Sequence, residues 1–299
     1  MKRDKPNLRG ILASGRPAVV AECVPPTSAD GAAVRRAAAA LRGKVDAVGV
    51  TDNREQIRMS ALATAAILRE EGLEPILHMT TRDRNRIALL SDVLGAQALG
   101  LTSVLCTSGD HHALGKDKAA RGVFDLDTVQ LLAALDSLRR TGALFGNGRS
   151  VGPCSLCLGA VAHPRADPPE MQAIRLAKKV RAGADFLVTQ PVFEIEAFAG
   201  WLESLRPFEL PGHAPILAGI LVPPSAERAR EMNETVPGVR IPEAFLERLA
   251  ASGDARQTAI DAAVERIGRL REVDAVKGFY LMTENDAAAV VEIVERSGL

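Results

Sequence analysis

Ala18-Val19-Val20-Ala21-Glu22 is a short apolar run that stops on a carboxylate, and the same figure returns seven more times. Ala47-Val48-Gly49-Val50 runs into Thr51-Asp52, Pro75-Ile76-Leu77 into His78, and Ser103-Val104-Leu105-Cys106 toward Asp110. Leu156 to Val161 precedes His163, and Phe186-Leu187-Val188 precedes Thr189-Gln190. Ile216 to Leu221 precedes Pro223-Pro224-Ser225, and Gly278 to Met282 precedes Thr283. Runs this short and uniformly apolar suit strands buried on both faces. Helix-length amphipathic segments lie between them. Eight strands alternating with helices predict an α/β chain folded as a (β/α)8 TIM barrel, where the carboxyl ends of the strands converge on one pocket. The polar residues at those ends are therefore the candidate site residues.

The 299 residues suit one such barrel, and the expectation is a single domain over 1–299. Hydrophobic residues make up 47% but aromatics only 3%, so Leu, Val, Ile and Ala must fill the core. Thirty-seven basic residues balance 37 acidic ones, which gives no electrostatic footprint for nucleic acid. No run is long enough to span a membrane, and the basic start Met1-Lys2-Arg3-Asp4-Lys5 is not followed by a signal-like apolar stretch. The expected location is cytoplasmic. Cys154 and Cys157 have CxxC spacing without a second ligand pair, so they read as structural thiols. Cys23 and Cys106 read as small strand residues, and no metal site is expected.

Met59, Leu62, Ala63 and Ala66 repeat at helical spacing, as do Ala173, Leu176, Ala177 and Val180, and Ile260, Ala263, Val264 and Ile267. Pro168-Pro169-Glu170 opens a helix, with Asp167 as its expected cap. Ile241 to Glu272 holds more helix than one crossover needs, with a break at Ser252-Gly253-Asp254, so extra helices are expected between strands seven and eight. The polar loop 109–126 follows a strand end and is long enough to cover a ligand. The tract 141–152 belongs to the remote end.

Glu22 is either a shielded general acid, since burial raises a carboxyl pKa, or a structural carboxylate bonded to a neighbouring loop. Asp110 follows Ser108-Gly109, where glycine permits close approach of a flat ligand; the alternative is a turn aspartate, and His111 and His112 add a metal reading. His78 either donates to a cofactor or is a satisfied structural histidine. Thr51 and Thr80 are weak signals singly. Gln190 offers a donor and an acceptor to a heterocycle edge, or ties loops together at the rim. Arg175, Lys178 and Lys179 form either a solvated helix face or a phosphate contact. Neither a Walker sequence nor GxGxxG occurs. A Schiff-base aldolase would need a lysine at a strand end, and Lys277 begins the eighth strand.

Taken in order, these pieces form a recognisable string. It runs Ala-Glu-Cys-Val-Pro-Pro (21–26), Thr-Asp-Asn (51–53), His-Met-Thr-Thr-Arg-Asp (78–83), Ser-Gly-Asp (108–110) and Val-Phe-Asp-Leu-Asp (123–127). It continues through the stretch from Ala182 to Phe193, Ala-Gly-Ile-Leu (218–221), Val-Arg-Ile-Pro (239–242) and Val-Lys-Gly-Phe-Tyr (276–280). The string resembles the methylenetetrahydrofolate reductase family over almost the whole chain. The Thr-Asp-Asn and Arg-Asp-Arg-Asn versions resemble a subgroup often found beside methyltransferase modules. The resemblance implies a flavin, FAD rather than FMN, with NAD(P)H as co-substrate and a tetrahydrofolate substrate. It implies Glu22 as general acid, Asp110 near the flavin and folate, and Gln190 and Phe193 at the pterin. It places Thr51, His78, Thr80, Gly109, Asp110, His163 and Lys179 at flavin-contact positions. It also implies a homo-oligomer, with a methyltransferase as a further partner. The chain departs from the family's pattern at Ser108, His163, Asp167, Gln172, Arg175, Ala226 and near Asp286. A flavin-independent reductase and a partner-dependent subunit are the alternatives those departures leave open.

Overall fold

The computed structural model describes residues 7–53, 55–210 and 214–299. Its strands are β1 (Ala18–Cys23), β2 (Ala47–Val50), β3 (Pro75–Thr80), β4 (Ser103–Thr107), β5 (Cys157–Ala162), β6 (Phe186–Pro191), β7 (Ile216–Leu221) and β8 (Val276–Met282). All are parallel to their neighbours, and β1 pairs with both β2 and β8, which closes the barrel. Its helices are α1 (Leu8–Ala13), α2 (Ala32–Leu41), α3 (Ala61–Glu70), α4 (Arg86–Ala98), α5 (Thr128–Thr141), α6 (Pro169–Arg181) and α7 (Ile195–Leu205). Three more, α8 (Ala226–Thr235), α9 (Glu243–Ala251) and α10 (Ala255–Leu270), lie between β7 and β8, and α11 (Ala287–Ser297) follows β8. The expected extra helices are thus α9 and α10. Of the described helices, none is long and apolar enough to cross a membrane.

The barrel interior is filled by Val20, Ala47, Ile76, Leu105, Phe186, Val188, Leu217 and Tyr280, and α1 closes its lower end with Leu8 and Ile11. A larger apolar layer lies between strands and outer helices. Branched aliphatic side chains supply most of both layers, as the scarcity of aromatics requires. Burying apolar area is worth roughly 25 cal/mol per Å², so these two layers, rather than surface ion pairs, hold the barrel.

Helix ends follow local chemistry. Asn85 accepts from Ala88 N at the start of α4, and Asp127 with Gln130 forms a reciprocal capping box on α5. Two expectations are corrected. Helix α3 turns Ala61, Thr64, Ala65 and Leu68 inward, not the stripe through Met59 and Ala63. Small alanines on both faces make its periodicity ambiguous, and Ser60 caps it one residue after Met59. At α6 the cap position is Pro168, not Asp167, and no side chain caps the helix there. The other two stripes face inward as read, through Ala173, Leu176 and Ala177 and through Ile260, Ala263 and Ile267.

Candidate active site

A cavity of about 710 Å³ opens at the carboxyl ends of the strands, and every strand or the loop after it contributes to its wall. Glu22 comes from β1, Thr51 and Asp52 follow β2, His78 and Thr80 come from β3, and Gly109 and Asp110 follow β4. His163 follows β5, Lys179 enters from α6, Gln190 comes from β6, and Tyr280 from β8. The barrel therefore gathers Glu22, Thr51, His78, Thr80, Gly109, Asp110, His163, Lys179 and Gln190 into one space. Phe193 is the exception. Its ring packs outside the cavity, 5.5 Å from Phe245 between ring centroids, with the Arg266 guanidinium 4.4 Å above it. Two residues past the end of β6, the chain has already turned toward the helical layer, and Phe193 does not join the other predicted residues in the cavity wall.

Two ends of the cavity differ in charge. On the α6 side, Lys179 Nζ donates to the Val161 carbonyl at 2.7 Å. Burial, with the neighbouring Arg175 charge, brings the Lys179 ammonium down to about 8. Burial and Lys179 hold the His163 imidazole down to about 4, so it is neutral at physiological pH. On the opposite rim, Glu284 pairs with Arg228 at 2.6 Å, and Arg228 also meets Glu231 at 2.7 Å and Glu55 at 3.7 Å. Three carboxylates around one guanidinium leave that rim acidic.

Between the two ends, the loops after β2, β3 and β4 are locked by one side chain. Arg82 is only 8% exposed. Its Nη1 donates to the Asp110 carbonyl at 3.0 Å and its Nη2 to the Asn53 carbonyl at 3.0 Å. Nε and Nη2 grip both Asp83 oxygens at 2.8 Å. Arg84 pairs with Asp52, which also accepts from Thr80 N and Oγ1, each at 2.9 Å. The Thr-Asp-Asn and Arg-Asp-Arg-Asn stretches are thus two halves of one lock. Gly109 completes it: its φ is +78°, and a Cβ there would stand 3.1 Å from Arg82 Cβ and 3.3 Å from Thr80 Cγ2. Arg82→Ala strands two loop carbonyls and a carboxylate, and is expected to cost about 1–3 kcal/mol by urea unfolding. A loss below a few tenths would show that the lock does not hold these loops.

A smaller hollow of about 230 Å³ adjoins the cavity, lined by Asn53, Glu55, Gln56 and Ile57, by the loop from Asp110 to Ala120, and by Thr235 to Pro237. The loop 109–126 forms one wall, and Lys116 N donates to the Glu55 carbonyl at 2.7 Å across it. Among the described residues, no group of three or more His, Cys, Asp or Glu is arranged to hold a metal. Burial pushes the Cys23, Cys106 and Cys157 thiols up to about 12, so they carry no thiolate at neutral pH. Arg175 lines the cavity but Lys178 does not. Asp286 caps α11 and pairs with Arg256 at 2.6 Å, and the eighth-strand loop meets the cavity through Glu284 instead.

Sequence reasoning passed over Tyr280, Arg82 and Glu284. The first has a signal: Tyr280 is the chain's one tyrosine, and it sits in a strand whose neighbours in the barrel interior are mostly aliphatic. Arg82 directly follows a Thr-Thr strand end, but its partners come from three loops, which no local pattern shows.

A closed eight-stranded parallel barrel with its polar groups gathered at the strand ends is the class this architecture defines. The chain belongs to the methylenetetrahydrofolate reductase family, whose model matches residues 7–298. A probable NADPH-dependent methylenetetrahydrofolate reductase of Caenorhabditis elegans is 28% identical over 251 residues, covering 83% of this chain and 36% of that protein. Methylenetetrahydrofolate reductase 2 of Schizosaccharomyces pombe is 26% identical over 247 residues, covering 75% of this chain and 35% of that one. The chain thus spans about a third of the length of these relatives. Among solved structures, an uncharacterised Clostridium thermocellum protein that binds two copies of 5-methyl-5,6,7,8-tetrahydrofolic acid superposes with a TM-score of 0.71. That match has 13% identity and covers 97% of this chain and 98% of the other, and it shows the shared fold.

Proposed function

We propose that this chain reduces 5,10-methylenetetrahydrofolate to 5-methyltetrahydrofolate with NAD(P)H, using a flavin held at the barrel mouth. One observation carries the reading: Glu22, Asp110 and Gln190 reach a single cavity from β1, the loop after β4, and β6, in a chain of this family.

The lining fits a flavin. Thr51 Oγ1 is buried at the cavity without a hydrogen-bond partner, so it is ready for a ring heteroatom. Gly109 leaves a side-chain-free wall, and Arg175 and Lys179 offer charge to phosphates at one end. That end favours FAD, whose two phosphates would use both cations. When bound, the flavin supplies the hydride that NAD(P)H provides.

The protein's own groups do the rest. Glu22 gives a proton to the folate nitrogen that leaves the methylene bridge, so the carbon–nitrogen bond opens and an iminium cation forms. Asp110 stabilises that cation through its carboxylate charge and holds the heterocycle. Gln190 binds the pterin edge through its amide donor and acceptor. Neutral His78 and His163 serve as hydrogen-bonding groups without adding charge. Glu55 and Glu284 on the cavity's acidic rim keep anionic ligand arms toward Lys179.

Lys179→Met is expected to weaken FAD binding roughly 10- to 100-fold, the loss of one charged hydrogen bond. In the unaltered chain, affinity falls as pH rises through about 8, because the ammonium that attracts phosphate deprotonates there. Fluorescence titration across pH checks both: the step should vanish in Lys179→Met, and an identical step in the variant would remove Lys179 from the phosphate site. The function itself is tested by anaerobic NAD(P)H oxidation with flavin added, with and without methylenetetrahydrofolate, and chromatography for 5-methyltetrahydrofolate. Folate-dependent oxidation with that product supports the reading. No product with either nucleotide contradicts it.

A further inference from the structure

Tyr280 lies across the barrel interior, 1% exposed. Its hydroxyl fills the place of a side chain that β2 lacks: a Cβ on Gly49 would stand 2.1 Å from Tyr280 Oη. Gly49 is the register partner of Glu22 in the β1–β2 pair. Register partners point to the same side, and neighbouring strands run about 4.8 Å apart, so the phenol oxygen stands beside Glu22 on the inner wall. On its other side Tyr280 Oη is 3.0 Å from His78 Nε2. The three groups follow one another across β1, β2 and β3 beneath the cavity.

The geometry points to a new role: Tyr280 is a positioning residue that acts through Glu22, donating its proton to His78 and turning a phenol lone pair toward the Glu22 carboxyl. This rests on the proposal above that Glu22 is the general acid. A carboxyl facing a lone pair is favoured in its protonated, donating form, the form the acid needs. His78 suits the acceptor's part. Burial holds its imidazole down to about 3, so it stays neutral and keeps one unprotonated nitrogen. The other ionisable groups around this chain are committed elsewhere. The Cys23 thiol is pushed up to about 12, first by burial and then by the Glu22 charge, and stays neutral. Asp52 is held by Thr80 and Arg84, Glu284 by Arg228, and Lys179 by the Val161 carbonyl. Asp110 and His163 face the cavity from β4 and β5, on the far side from β1.

The test does not require turnover. Infrared spectroscopy of the full chain reads the carbonyl stretch of a protonated carboxyl, and the band missing from Glu22→Gln belongs to Glu22. Its loss on raising pH is then followed in the unaltered chain, in near-isosteric Tyr280→Phe, and in His78→Leu, which leaves Tyr280 free to donate to Glu22. Both variants are expected to lose the band about one pH unit lower, a tenfold fall in protonated Glu22 at a given pH. Variant titrations that coincide with that of the unaltered chain or shift upward, or no Glu22 band at neutral pH in the unaltered chain, would overturn the role. Folded variants are confirmed by circular dichroism, and His78→Leu decides the matter if Tyr280→Phe does not fold. A shifted band in a chain that makes no methyltetrahydrofolate would leave the arrangement standing and overturn only the functional reading.

Discussion

Glu22→Gln is expected to bind flavin normally and accept hydride from NAD(P)H at an unaltered rate, while folate reduction falls about 10²- to 10⁴-fold. The amide keeps the shape of the acid and its place on β1 but has no proton to give at the leaving nitrogen. The effect should fall on the folate half of the cycle alone, because the proposed proton transfer from Glu22 belongs to that half. Separate anaerobic rapid-mixing measurements of the two halves check this. Equal losses in both would mean that Glu22 shapes the cavity generally. Wild-type-like folate reduction would remove it as the acid and return it to the structural reading.

Gly219→Ala should lower both stability and folate affinity. Gly219 of β7 packs against the backbone of β6, where an added Cβ would stand 2.5 Å from the Thr189 carbonyl oxygen and 3.1 Å from the Gln190 carbonyl. Backbone cannot swing aside as a flexible side chain can. The same place carries the register shift between Val188 and Pro191, and Gly219 N donates to Thr189 Oγ1 at 2.9 Å. The two strands must therefore part locally, at a cost of about 1–3 kcal/mol. Parting them also displaces Gln190, so KM for the folate should rise several-fold while hydride acceptance from NAD(P)H is spared. Urea unfolding and steady-state kinetics together check the pair of effects. Unchanged stability would mean that the strands are not in close contact there.

Those two residues show what a sequence can and cannot display. Glu22 was legible because a carboxylate ending an apolar run violates the strand's own pattern, and the barrel's rhythm says which end of the strand matters. Asp110, His78 and Gln190 were legible for the same reason. Gly219 was not, because its partner is a backbone bulge on another strand. Arg82 follows the same logic: its partners Asn53, Asp83 and Asp110 come from three loops that meet only after the barrel closes. Phe193 is the predicted residue that the structure does not bring to the cavity wall. It stands three residues past Gln190 in a continuous motif, yet the chain leaves the barrel wall between them and the ring packs under the Arg266 guanidinium. Nearness in sequence to a site residue held only as far as the strand did. The α3 stripe misled because alanine fits either face of a helix, so its spacing carries little directional information.

The central claim is that reducing equivalents pass from NAD(P)H to a bound flavin and then to the folate carbon. The most direct measurement is the visible absorption spectrum of the purified chain, before and after FAD is added, followed anaerobically through sequential additions. A bound-flavin spectrum that bleaches on adding NAD(P)H, and recovers on adding methylenetetrahydrofolate with one 5-methyltetrahydrofolate formed per flavin, is the predicted result. A colourless chain that takes up no flavin, yet oxidises NAD(P)H only when the folate is present, would contradict it and assign direct hydride transfer to this barrel.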